Sequence, residues 1–599
     1  MAFVHSTHLF SLAIANGAFG APHVAILHVD GDDDGVRAPS PGWRFRWPPV
    51  LNNVPPVAFT DMSEQFLIEK RGRWSYTTPF LFYACMVAAM GDLIYGYDVG
   101  LFGNLQALPS FLNRFGETIN GTKALSSHTT AVINSIIFLG KGVASLCFEP
   151  TVERLGFKWT LYILCGVQCL GAIIELASRN WQGFVSGRVL TYFAVGFCET
   201  AVPTYASELA PAPVRAFFSG SIAFWLGLGS LWGSLMSRGF LNTQADYGWQ
   251  IPVAISMVPA VVMAVLLPWA PESPRWLISH GQRDRALAIL DRLRPEIDVD
   301  AGHTVMEIDA IEQAIAESKI ADNGSWLDIF RGTYFRRSMI AAWIFILQQI
   351  SGNAFLASYA TTFYKQLGFG NNSFMYTNIS SAAVVAVTIP CLLLYDRIGR
   401  RPIMIVGSFL MIPGLLIVAI LGSKSTHSSS EVGAIVFSVI LYSCAVKVAF
   451  STPCYMVASE IGGVMMRKKI MTFAACWDVI SAFVNNYSVP YLLNKPGAGL
   501  GAKVGYIFAA ISICAFFFTV FFVPELKGRS LEEVDELFEL RLWAWQFTKA
   551  ETHGAGARIA ALEGSHALAI DSDKIHGRTD VKDTIEREEQ ATSAIHEVL

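Results

Sequence analysis

Between residues 79 and 523 the chain returns twelve times to an apolar run of about 20 residues, with a short polar break after each. A helix of that length crosses a hydrocarbon core of about 30 Å, and in lipid every backbone polar group must be bonded within its own segment or a closed barrel. The pattern therefore predicts an all-α membrane protein with twelve transmembrane helices. The expected spans are 79–104, 128–149, 157–178, 183–205, 217–241, 249–269, 338–366, 374–396, 402–422, 432–459, 470–493 and 502–523. Composition agrees, since 53% of the 599 residues are hydrophobic and 15% are charged.

Between the sixth and seventh spans the pattern breaks, and the chain divides there. Residues 270–337 are charged, with apolar positions at helical spacing over 283–293 and 305–320, which predicts a linker carrying short helices. The expected organisation is an N-terminal arm (1–78), a six-helix bundle (79–269), the linker (270–337), a second six-helix bundle (338–523) and a C-terminal tail (524–599). The arm is rich in Asp, Gly, Pro and Arg over 31–75, and residues 1–28 lack the basic start and cleavage site of a signal peptide. A short amphipathic helix is expected over 531–538, then a polar, disordered tail. Lys and Arg cluster at one set of span ends (Arg154 with Lys158, Arg215, Arg275, Arg397 with Arg400 and Arg401, Arg467, Lys527 with Arg529), which makes that side cytoplasmic, with both termini. The triplets at Asn120 and Asn371 fit glycosylation acceptors on the opposite side.

Several classes are excluded. A net charge of -4 offers no surface for nucleic acid, so the expected partners are the lipid bilayer and a solute. The ten cysteines show neither zinc nor redox spacing and read as small core residues. No nucleophile elbow, phosphate loop or metal-ligand spacing occurs, so no catalytic residue, cofactor or metal is expected.

The chain also repeats itself at a period of about 250 residues. Glu153-Arg154-Leu155-Gly156-Phe157-Lys158 is echoed by Asp396-Arg397-Ile398-Gly399-Arg400-Arg401. Pro203, Tyr205, Glu208 and Arg215 are echoed by Pro453, Tyr455, Glu460 and Arg467. Pro271-Glu272-Ser273-Pro274-Arg275 is echoed by Pro524-Glu525 with Arg529. A six-plus-six duplication is the pattern of transporters whose halves rock about a midplane site. The echoed acids and bases sit where the cytoplasmic ends of the spans meet, as a latch between halves or as helix caps and topology signals.

These motifs carry a resemblance. Gly96-Tyr97-Asp98, Pro271-Glu272-Ser273-Pro274-Arg275-Trp276-Leu277, Gln348-Gln349-Ile350-Ser351-Gly352, Asp396-Arg397-Ile398-Gly399-Arg400-Arg401 and Pro524-Glu525-Leu526-Lys527-Gly528-Arg529-Ser530 resemble the sugar porter family of the major facilitator superfamily, over residues 79–540. Gln349-Ile350-Ser351-Gly352-Asn353-Ala354 and Val489-Pro490-Tyr491 look most like fungal maltose and α-glucoside permeases. The resemblance implies plasma-membrane sugar uptake by a monomer, through alternating access.

Residues 90–103 hold the sharpest single signal, because Asp98 is an ionisable side chain inside an apolar run, and such residues default to function. Proton-symporting members of the family carry an acid at Asp98 and an Arg at Arg188. Burial favours the neutral carboxyl and a nearby Arg favours the carboxylate, so moving one past the other switches proton affinity; a static pair is the alternative. The resemblance and the chemistry of amides and aromatics imply a sugar site from Tyr95, Gln348, Gln349, Asn353, Tyr359, Tyr455, Trp477 and Asp478. Asp478 is expected to bind substrate hydroxyls or to pair with Lys447. The gate would comprise Glu153, Arg154, Glu208, Arg215, Glu272, Arg275, Asp396, Arg397, Glu460, Arg467, Glu525 and Arg529.

The chain departs from the family in places. Ala354 stands where the family's Asn falls, Ser221-Ile222-Ala223-Phe224-Trp225 lacks a sugar-binding amide, and Tyr95 replaces a Glu frequent in α-glucoside symporters. Lys141, Glu149, Glu175 and Glu199 are unusual charges inside apolar runs, with mutual pairing as their expected role. Facilitative uniport and a non-transporting sugar sensor are the competing readings, the sensor disfavoured by the short tail.

Overall fold

The computed structural model describes residues 73–550 apart from 120, 212–213, 215–216, 219, 322–325, 425, 464–465, 495–496, 528, 530 and 549. The expected arm up to residue 72 and the tail beyond residue 550 lie outside the described residues. The chain is helical. In order, the first part of the chain forms α1 (Pro79–Leu105), α2 (Ser127–Ser135), α3 (Ile137–Ala177), α4 (Trp181–Leu209), α5 (Ile222–Gly239), α6 (Tyr247–Ile255) and α7 (Met257–Leu266). The linker holds α8 (Pro274–Ser279), α9 (Arg283–Leu293) and α10 (His303–Ala321). Then follow α11 (Gly332–Ile350), α12 (Asn353–Gln366), α13 (Asn372–Ile398), α14 (Arg400–Gly422), α15 (Ser429–Val446), α16 (Thr452–Ile461), α17 (Arg467–Leu493), α18 (Val504–Phe522) and α19 (Leu531–Glu539). A small antiparallel hairpin, Glu117–Ile119 against Thr122–Ala124, pairs Thr118 with Lys123 in a connection expected to be loop.

Eight helices or joined helices among the described residues are long and apolar enough to cross a membrane. The difference from twelve expected spans has a physical reason. Two expected spans run on as one in Ser127–Ala177. The expected spans at α4, α5 and α17 are less apolar, because α4 carries Arg188 and Glu199, α5 is rich in Gly and Ser, and α17 carries Asp478 behind a basic start.

Four local features depart from the expected pattern. Gly156, at φ 83° and ψ 172°, is a non-helical residue that divides α3 into two helical stretches at a kink, so the expected loop is a single sharp turn. The seventh expected span breaks between α11 and α12 at Gly352, whose φ is 108°. Its apolar pattern continues through the break, which is why periodicity misses it. Residues 447–451 close α15 onto α16 through a π-helical turn. Beyond α19 the expected disordered tail is ordered as far as Ala550: Arg529 Nη2 donates to the Phe547 and Ala550 carbonyls, and Phe547 packs on Phe538. The amphipathic helix itself forms as expected.

Candidate functional site: buried ion pairs between helices

The geometry starts with a backbone seam. A Cβ at Gly96 would run into the Leu226 carbonyl oxygen, and one at Gly100 into the Ser230 carbonyl oxygen. From the other side, Gly229 and Gly233 on α5 meet the Leu93 and Tyr97 carbonyls. Four glycines, each pair spaced four apart, therefore let α1 and α5 touch backbone to backbone, as small residues do between membrane helices. With that face of α1 committed to α5, Asp98 points toward α4.

There Arg188 Nη1 donates to Asp98 Oδ1 at 2.6 Å, with the two residues 1% and 3% exposed. The guanidinium also lies 3.9 Å from the Phe102 ring and 5.0 Å from the Tyr192 ring. Phe102 belongs to an aromatic cluster with Phe111, Phe115, Phe184 and Trp249 that covers the pair on one side. The contact is single-pronged: Asp98 Oδ2 and Arg188 Nε and Nη2 have no hydrogen-bond partner among the described residues. Glu175 on α3 is buried nearby and accepts from Thr191 Oγ1 at 3.3 Å. A bidentate Arg–carboxylate fork is the tighter arrangement, so this pair leaves capacity for a second partner at the carboxylate.

A second cluster joins the first part of the chain to the last. Lys141 Nζ on α3 lies 2.8 Å from Glu199 Oε2 on α4 and 3.1 Å from Asp478 Oδ2 on α17. Gln349 Nε2 donates to the other oxygen of Asp478 at 2.7 Å, and the Tyr455 hydroxyl donates to Glu199 Oε1. The expected pairing of Asp478 with Lys447 is therefore corrected: Asp478 meets Lys141, which reaches it from a helix more than 300 residues away in sequence. Lys447 instead lines a shallow recess with Ala223, Val387, Thr388, Cys391 and Ser451. The mutual pairing expected for Lys141 and Glu199 is present, and Glu149 is exposed on α3.

Further polar contacts between the two parts of the chain lie toward the Leu105 end of α1. Lys365 Nζ donates to the Ala107 carbonyl at 2.5 Å, Gln106 Nε2 to the Ser358 carbonyl at 3.5 Å, and Thr361 to Asn104. Gly103 brings α1 within 2.8 Å of Ala357 backbone for a notional Cβ, so α12 closes over that end.

At the opposite end two carboxylates sit in matching cradles. Glu272 accepts from the backbone N–H of Phe157 (2.8 Å), Lys158 (3.2 Å) and Ser273 (3.1 Å). Glu525 accepts from the N–H of Arg400 (3.3 Å), Arg401 (3.1 Å) and Lys527 (2.9 Å). Free N–H groups at a helix start are a ready anion site. Burial pushes the Glu272 carboxyl above the usual glutamate range, and its backbone N–H bonds pull against that rise. Ser273 donates to Glu208, and Arg400 Nη2 donates to Glu460 at 2.8 Å. Arg529 reaches Glu533 at 2.9 Å on α19. Glu153, Arg154 and Arg275 are exposed. Arg215, and the side chains of Asp396, Arg397 and Arg467, lie outside the described residues.

Of the expected sugar residues, Gln349, Tyr455 and Asp478 converge on the Lys141 cluster, and Tyr95 on α1 is an electrostatic neighbour of it. Gln348 is buried with Oε1 unpartnered among the described residues, and Asn353 opens α12 one residue beyond the break. Tyr359 is buried and donates to the Asn486 carbonyl at 3.1 Å; Trp477 is 37% exposed beside Phe473. Sequence reasoning missed Asp92, six residues before Asp98 and 1% exposed, with both carboxylate oxygens unpartnered among the described residues. The same rule that singled out Asp98, an acid in an apolar run, would have found it.

Known proteins resemble this chain in sequence and fold. A family model described as sugar (and other) transporter matches residues 84–538. A low-affinity glucose transporter of Saccharomyces cerevisiae is 27% identical over 490 residues, covering 79% of this chain and 84% of the yeast protein. A sugar transport protein of Oryza sativa subsp. japonica is 28% identical over 499 residues, covering 80% and 94%. Among solved structures, the major facilitator proton:xylose symporter XylE aligns with a TM-score of 0.64 at 21% identity, over 77% of this chain and all of the other, a likeness of fold.

Proposed function

The chain belongs to the sugar (and other) transporter family, and on that premise we propose that it takes up a hexose or an α-glucoside such as maltose across a plasma membrane by proton-coupled symport. In this reading twelve spans form two six-helix halves (79–269 and 338–523) joined by the 270–337 linker, with the arm and tail cytoplasmic, and a monomer works by alternating access. The observation that carries the reading is the Asp98–Arg188 pair: buried, single-pronged, with one carboxylate oxygen unpartnered among the described residues. While Arg188 holds Asp98, the carboxylate is stable without a proton; when the guanidinium moves away from the carboxylate, the acid takes one up.

Gln348, Gln349, Asn353, Tyr95, Tyr359, Tyr455, Trp477 and Asp478 supply the amides, hydroxyls and rings that a sugar needs in place of water. The acids and bases at the Gly156 and Gly399 motifs gate the cytoplasmic end. In a transport-null cell, uptake of one sugar from a labelled panel including glucose and maltose is expected to rise at acid external pH and to collapse with an uncoupler. Asp98→Asn is expected to abolish accumulation against a gradient while leaving downhill exchange. Uptake indifferent to both treatments identifies a uniporter instead, in which the pair is static.

A further inference from the structure

Alternating access parts one half of the chain from the other, and the inference here rests on that two-half reading. The two buried ion clusters meet this motion differently. Asp98 and Arg188 both lie in the 79–269 half, on α1 and α4, so rocking of the halves leaves them together. The Lys141 cluster straddles the divide, with Lys141 and Glu199 in the first half and Asp478, Gln349 and Tyr455 in the second.

Parting the halves therefore divides charge unevenly. Lys141 leaves with Glu199 as a neutral pair, and Tyr455 keeps its own proton. Asp478, 3% exposed, is left with the Gln349 amide alone. A carboxylate stranded at hydrocarbon depth without a cation is the costly member of a broken buried pair, and a proton removes that charge. We infer that Asp478 is a second proton site, binding a proton as the halves part and releasing it when Lys141 returns.

The step is a simple proton uptake. The carboxylate oxygen that Lys141 vacates gains a proton from the aqueous phase that the opening admits, and Gln349 continues to bond the other oxygen. The titratable and charged groups facing Asp478 are Lys141 from α3, Glu199 from α4, Tyr95 from α1, and Cys454 and Tyr455 from α16. Lys141 is the one cation among them, so its withdrawal leaves no substitute within that set.

The test needs no sugar. Spin labels at Leu155→Cys and Ile398→Cys, exposed positions on opposite halves, report the separation of the halves in the full-length protein in nanodiscs. Exposed Cys147, Cys476 and Cys514 are replaced by Ser. Between about pH 8 and pH 5 the wild-type distance distribution is expected to shift from short to long, since protonation of Asp478 releases Lys141. Asp478→Asn is expected to stay long across the range. Lys141→Gln is expected to lose the pH response, because Asp478 then binds a proton about equally with the halves together or apart. Asp98→Asn, whatever its midpoint, is expected to retain a pH-dependent shift because Lys141 and Asp478 are intact, so loss of coupled uptake in that variant and loss of this response are separate failures. A wild-type midpoint retained in Asp478→Asn or in Lys141→Gln, or a wild-type distance indifferent to pH, overturns the inference.

Discussion

The turn at Gly156 and the turn at Gly399 are built on one plan and finished differently. Both glycines sit at positive φ with ψ near 170°, a region that glycine alone occupies freely, and both press against a carboxylate from about 120 residues further along. Both carboxylates bond the first N–H groups of the helix that follows. The residue after the glycine then diverges. Arg400 reaches Glu460, whereas Phe157 is buried and tilts against Tyr205 with ring centroids 5.6 Å apart. Glu208, the echo of Glu460, takes the Ser273 hydroxyl. The backbone cradle is thus the constant element, and the side-chain pair around it is exchangeable between a salt bridge and an aromatic contact.

The strongest break of this comparison is to remove the shared part. Gly156→Ala and Gly399→Ala are each expected to cost about 1–3 kcal/mol, because alanine must adopt a glycine-only conformation and its Cβ would press on Glu272 or Glu525. Thermal unfolding of the purified protein, followed by fluorescence-detected size exclusion, reads the effect, and equal losses at the two sites confirm one plan. A smaller effect separates the finishes. Arg400→Phe is expected to cost about 0.2–1 kcal/mol, since the Arg400–Glu460 bridge is partly exposed, whereas Phe157→Arg buries a charge beside Tyr205 and is expected to cost more. Equal and small losses in both would mean that the two environments are interchangeable.

The smallest effect is a pH slope at Glu272. Its raised carboxyl binds a proton more readily folded than unfolded. The stability it contributes is therefore fully present below the ordinary glutamate value and lost as pH rises through the raised one. Wild-type melting temperature should fall slightly across that window, and Glu272→Gln should flatten the slope. A slope unchanged in the variant assigns the titration elsewhere.

What the sequence made legible follows from what kind of signal each feature leaves. The spans were readable because lipid imposes long apolar runs, and α1 at Pro79–Leu105 matches the expected 79–104 closely. The break at Gly352 and the kink at Gly156 were not, since a single positive-φ glycine leaves the surrounding pattern intact. Asp98 with Arg188 was legible from buried charge and family motif together. The Lys141–Asp478 bond was not, because periodicity within a run says nothing about which run faces it. The ordering of residues 540–550 was hidden by their mixed composition, and it depends on Arg529 binding carbonyls rather than on apolar spacing.

The glycine seam between α1 and α5 has a mechanical consequence. Helices that meet through side chains can slide by repacking rotamers, but two backbones in contact have nothing to repack. Gly96, Gly100, Gly229 and Gly233 therefore weld Asp98 to a stiff double rib. Strain from each turnover has to be absorbed at softer joints, the hinge at Gly352 and the π-turn before α16, so wear and adaptation are expected to gather there while the rib is inherited as a block.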